Sequence, residues 1–85
     1  MQTLLEVVRS YRYPNDAPMR TYREIGEALG VSYETIRGWE LGRHEPSTEW
    51  MLAAWATARD GWPRRMVYQL WEAKHPDSPL PEIGA

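Results

Sequence analysis

The chain contains no cysteine, and its only two histidines, His44 and His75, are far apart in the sequence. Without thiols, neither a disulfide framework nor a thiolate metal site can form. The histidines have no ligand-like neighbours, so no metal site is predicted. Paired carboxylates in an apolar setting, a serine–histidine–acid arrangement and a phosphate-binding loop are also missing. We therefore expect a protein that is not an enzyme and that uses no metal or cofactor.

Long apolar runs are missing as well. No stretch approaches the roughly 20 residues that cross a bilayer, and the first residues lack the pattern of a signal peptide. The 85 residues are enough for one small domain but not for a second core. The expectation is a cytoplasmic, single-domain protein with no membrane partner.

The sequence has no excess of positive charge. It carries 10 basic and 12 acidic residues, a net charge of −2 and a pI of about 5.6. Because phosphate neutralisation favours a basic surface, this composition counts against a nucleic-acid partner, and any basic face must be assembled by folding. Nine of the ten basic residues are arginine, which is better suited than lysine to bidentate contacts with phosphate or guanine.

Start and stop signals divide the chain into short helices. The predicted helices cover about 3–12, 21–29, 33–41, 47–59 and 63–75. No stretch alternates as a strand does, so the predicted class is all-α, a small bundle of about five helices. The domain is expected to span residues 1–75, followed by an extended proline-rich tail at 76–85.

The local signals are strongest around residues 21–42. TYRE at 21–24 is a capping box, and Gly30 stands where a left-handed residue ends a helix. Two predicted helices joined by a tight turn that contains glycine have the spacing of a helix-turn-helix motif. Small residues at Gly26 and Ala28 allow the helices to approach, and Ile36 and Trp39 anchor the second helix. In the first predicted helix, the inward face consists of Leu4, Leu5, Val8 and Tyr11.

The stretch TYREIGEALGVSYETIRGWELGRHEP, residues 21–46, resembles the lambda-repressor/Cro-like (XRE-type) helix-turn-helix family, and the resemblance covers about residues 20–62. It implies a sequence-specific, Cro/C1-type transcriptional regulator that occupies an operator on double-stranded DNA as a homodimer. The second helix would cross the phosphate backbone, and the third would enter the major groove. The resemblance implies base contacts at Tyr33, Glu34 and Arg37. It implies backbone contacts at Tyr22, Arg23, Thr35, Arg43 and His44.

The resemblance also implies an ion pair between Glu40 and an arginine of the first helix, for which Arg9 is the first choice and Arg12 the second. Four features depart from the family pattern. Tyr22 replaces a usual glutamine, Gly38 removes one readout side chain, residues 13–20 form a longer link, and Trp55 replaces a small residue.

The five tryptophans are many for this length. Trp39, Trp55 and Trp62 are expected in the core. Trp50 and Trp71 are harder to bury in a small domain, and interfaces favour tryptophan, so these two are the candidate contacts for self-association or for another protein. RNA polymerase or a second regulator is a further possible partner. The alternative function is a protein-interaction adaptor that has the same fold without sequence-specific DNA binding.

Overall fold

The computed structural model describes residues 2–80, which form five helices. They are α1 (Leu4–Arg12), α2 (Tyr22–Leu29), α3 (Tyr33–Glu40), α4 (Thr48–Thr57) and α5 (Trp62–Lys74). No strand occurs within residues 2–80, so the all-α prediction is confirmed. None of these five helices is long and apolar enough to cross a membrane.

Each of the first four helices is preceded by a serine or threonine at its N-cap position. In each, the side-chain hydroxyl accepts a hydrogen bond from the backbone N–H three residues later, which satisfies one of the free amides of the first turn. The four caps are Thr3, Thr21, Ser32 and Ser47. The fifth helix, α5, instead has Pro63 in its first turn, where the missing N–H costs nothing.

The turn between α2 and α3 depends on two glycines. Gly30 adopts a left-handed φ of 74°, as its position in the sequence predicts. Gly26 allows close approach, because a Cβ there would lie 2.6 Å from the carbonyl oxygen of Val31. The predicted need for a small residue at Gly26 is therefore confirmed.

The core lies where α1 packs against α3 and α5, α2 against α3, and α4 against α5. The expected face of α1 is partly wrong, because Leu5 is 41% exposed whereas Val7 is fully buried. Positions 4, 7 and 8 share a helical stripe, and Leu5 lies beside it. The fully buried aliphatic and sulfur-containing side chains are Val7, Val8, Ile25, Ile36, Met51, Met66, Val67 and Leu70.

Trp71 belongs to the core, which corrects its assignment as an interface residue. Only 7% of it is exposed, its indole Nε1 donates to the carbonyl of Ser78, and its ring centroid lies 4.4 Å from that of His75. Trp50 is half-buried and packs edge-on against Trp39, with the centroids 5.0 Å apart. A small domain can therefore bury Trp71 by folding the chain beyond α5 back over it.

The predicted tail starts with a turn at residues 76–77 and is not extended there. The amide of Ser78 donates to the carbonyl of His75, and Leu80 packs against the core cluster. The remainder of the predicted tail, residues 81–85, lies outside the described residues.

Candidate functional site

The third helix, α3, has one face fixed in the core and one face in solvent. Ile36 and Trp39 are buried, so rotation of the helix about its axis is prevented. On the other side, Tyr33 is 45% exposed, and Glu34 and Arg37 are exposed as well. All three residues predicted to contact bases therefore lie on the outer surface.

A surface hollow of about 280 Å³ brings this face together with the chain that follows α3. We call it the α3 concavity, and its lining residues are Tyr33, Glu34, Arg37, Gly38, Arg43 and His44. It contains two arginines and one glutamate, so its formal charge is positive although the whole chain carries −2. The lining therefore carries one net positive charge, in contrast to the acidic composition of the whole chain.

An arginine of α2 lies beside this surface. The guanidinium of Arg23 is 5.4 Å from the ring centroid of Tyr33, a cation–π separation, and Arg23 is exposed. Thr35 is less accessible, since it is half-buried and its hydroxyl lies 2.9 Å from that of Ser32. Of the predicted backbone contacts, Arg23, Arg43 and His44 are exposed.

A buried ion pair joins α1 to the end of α3. Nη1 of Arg12 lies 2.9 Å from Oε1 and 3.0 Å from Oε2 of Glu40. The first choice, Arg9, is wrong: it lies on the exposed side of α1. Arg12 follows Leu4 and Val8 at steps of four residues, which places it on the buried stripe of the helix. Burial lowers the pKa of Arg12, but its hydrogen bonds and ion pair with Glu40 outweigh burial and raise that pKa above its usual value.

Tyr22, which the sequence predicts to contact a phosphate, belongs to the same cluster. Its hydroxyl donates to Oε1 of Glu40 at 3.0 Å, and the guanidinium of Arg12 covers its ring at 3.9 Å from the centroid. Burial, together with the hydrogen bond and negative charge of Glu40, raises the pKa of the phenol above its ordinary value. Tyr22 therefore ties α2 to α1 and α3.

The role of Gly38 depends on His44. A Cβ built at Gly38 would lie 2.6 Å from Nε2 and 2.7 Å from Nδ1 of His44, so the imidazole occupies the space where a side chain at position 38 would begin. The sequence predicts a missing readout side chain at Gly38 and a backbone contact at His44, with no link between the two. No local signal relates residues six apart across a helix end.

Within residues 2–80, no group of three or more acidic, histidine or cysteine side chains is placed to hold a metal ion. The chemistry available at the α3 concavity is that of hydrogen-bond donors, one carboxylate and two rings. The chain matches no protein-family model, no curated protein and no solved structure.

Proposed function

We propose that the protein is a sequence-specific DNA-binding transcriptional regulator of the lambda-repressor/Cro-like kind, with α2 and α3 as its helix-turn-helix. One observation carries the proposal. The α3 concavity gathers Arg37, Arg43 and His44 on the solvent side of a helix whose opposite side is locked into the core.

The surface suits the major groove, which admits an α-helix and presents base edges as hydrogen-bond donors and acceptors. Arg37 would donate to guanine O6 and N7, and Glu34 would accept from cytosine N4. The exposed ring of Tyr33 would contact a thymine methyl. Because α3 is held by buried side chains, these groups would meet DNA with little ordering cost.

The positive groups around the reading face suit the phosphate backbone. Arg43 lies just beyond the end of α3, and Arg23 approaches from α2. Both would neutralise phosphates, which supplies affinity without sequence information. The acidic composition is compatible with this role, because the positive charge of the concavity is local.

A single module of this size offers little contact area, so we propose a homodimer on two half-sites about 34–36 Å apart. It would act in the cytoplasm by occupying an operator as a repressor, or by touching RNA polymerase or another regulator. Trp71 is buried within its own chain and would not form the dimer contact.

The test begins with selection of preferred sites from random double-stranded DNA. Arg37→Ala should lose about 1–3 kcal/mol on the preferred site and relax selectivity at one base pair. Arg43→Ala should weaken binding to all sequences about equally and lower the salt slope by roughly one unit. Arg59→Ala is the matched control, because it removes an exposed arginine outside the α3 concavity and should change neither property.

A protein-interaction adaptor is the second candidate, favoured by the net charge of −2 and by the partial exposure of Trp50. The adaptor hypothesis predicts that selection enriches no DNA sequence and that binding to a protein partner does not weaken steeply as the salt concentration rises. That outcome, with all variants folded by circular dichroism, would reject the DNA-binding proposal.

A further inference from the structure

His44 is held on the outer surface of α3 by the way the helix ends. The amide of Gly42, whose φ is 73°, donates to the carbonyl of Trp39 at 3.2 Å. The amide of Arg43 donates to the carbonyl of Gly38 at 2.9 Å. These two bonds form the Schellman motif, which reverses the chain direction after a helix. The next residue, His44, is thereby carried back over Gly38.

The other end of the loop is anchored as well. Pro46 is fully buried, and its carbonyl accepts a hydrogen bond from Nζ of Lys74 at 2.9 Å. Residues 43–45 therefore span two fixed points, one at the end of α3 and one at the core. The path of the loop is set by the fold, and with it the location of the His44 side chain.

Gly38 makes this location possible. It is buried although it lies on the outer side of α3, because the imidazole covers it. The three closest atoms to a Cβ at this position all belong to the His44 ring, so any larger residue would displace the ring. The α3 surface thus has an imidazole, supplied by the loop, at the place where the helix has no side chain.

From this arrangement we infer that His44 reads a base pair in the major groove from the space that Gly38 leaves open. The inference rests on the proposed function and changes the role of His44 from a backbone contact to a specificity-determining residue. His44 lines the same concavity as Tyr33, Glu34 and Arg37. His44 is exposed, so its imidazole is accessible to DNA.

The chemistry predicts which bases it selects. An imidazole N–H donates one hydrogen bond, and both purines present the N7 acceptor in the major groove, with O6 beside it in guanine. Cytosine presents a donor at that edge and would leave the imidazole N–H unpaired. Thymine also presents an acceptor, O4, so the discrimination is against cytosine. His44 should therefore favour guanine, whose N7 and O6 lie side by side, over cytosine at one position by about tenfold, as one hydrogen bond suggests.

The experiment compares binding-site profiles of four full-length proteins: wild type, His44→Ala, Gly38→Ala and the double variant. His44→Ala should flatten the preference for guanine over cytosine at one base pair and leave the preference assigned to Arg37 intact. Gly38→Ala should flatten the same base pair, because its Cβ displaces the ring. In the double variant the loss should equal that of His44→Ala alone, since there is no ring left to displace.

The controls separate reading from folding. Alanine is more favourable than glycine inside a helix, so Gly38→Ala should not lower the thermal unfolding temperature, and His44 is exposed. If His44→Ala weakens DNA binding to all sequences uniformly and lowers the salt slope, His44 is a phosphate contact and the inference is overturned. An unchanged profile in either single variant would overturn it too. If wild type itself selects no sequence, the proposed function fails and this inference fails with it.

Discussion

Replacing Arg12 by methionine should strongly destabilise the protein, because it leaves the carboxylate of Glu40 buried without its cation. The side chains of Arg12 and Glu40 are 11% and 8% exposed, so water replaces the lost contacts poorly. Breaking a buried pair from one side typically costs about 3–5 kcal/mol. In a domain of this size that corresponds to a fall in Tm of more than about 12 °C.

The double variant Arg12→Met, Glu40→Met should be more stable than the sum of the single changes predicts. Apolar residues of similar length remove both charges together, and such replacements are often close to neutral. Tyr22 loses its acceptor whenever Glu40 is changed, so this loss cancels in a double-mutant cycle. Two hydrogen bonds between charged groups lead us to expect a coupling free energy of at least about 2 kcal/mol.

The assay is urea unfolding followed by tryptophan fluorescence, with Arg9→Met as the matched control. Arg9 is on the same helix but exposed, so its replacement should change stability by no more than about 0.5 kcal/mol and should not couple to Glu40. A coupling below about 0.5 kcal/mol for Arg12, or a larger coupling for Arg9 than for Arg12, would refute the assignment of this ion pair.

Three further changes test the remaining packing and charge. Gly30→Val should cost about 1–2 kcal/mol through its left-handed φ alone, since nothing beyond the neighbouring residues in the chain lies within 4 Å of an added Cβ. Gly30→Asn should cost less, and equal costs of the two changes in thermal unfolding would contradict this account. Gly26→Ala should cost about 1–3 kcal/mol, because its Cβ meets the Val31 carbonyl at 2.6 Å, and an unchanged Tm would exclude this close approach. Tyr22 has a pKa raised above its ordinary 10.0, so its stabilising effect is complete below about pH 10 and is lost as pH rises through the folded-state pKa. Tyr22→Phe should therefore lessen alkaline destabilisation in unfolding curves above about pH 10, and an unaltered pH profile would oppose this.

The sequence alone determined the features that arise within one turn of a helix. The cap at Ser32 and the left-handed residue at Gly30 each satisfy backbone groups only a few residues away, so local chemistry is sufficient to predict them. The outward direction of Arg37 is also local in origin, because Ile36 and Trp39 fix the opposite face of the same helix.

Tertiary structure decided which residues meet across the chain. The choice of Arg12 over Arg9 depended on how α1 is rotated about its axis against α3, and a shift of the apolar stripe by one residue changes that rotation by about 100°. Trp71 could be placed in the core only once the chain beyond α5 was known to fold back over it.

The contact between His44 and Gly38 depends on three structural features at once. A Schellman turn, a buried proline and an empty position on α3 had to coincide before the imidazole could lie on the helix. The juxtaposition of these features is not readable in the sequence, because side-chain contacts between segments are set by the packing of the whole core rather than by either segment's own conformational preference.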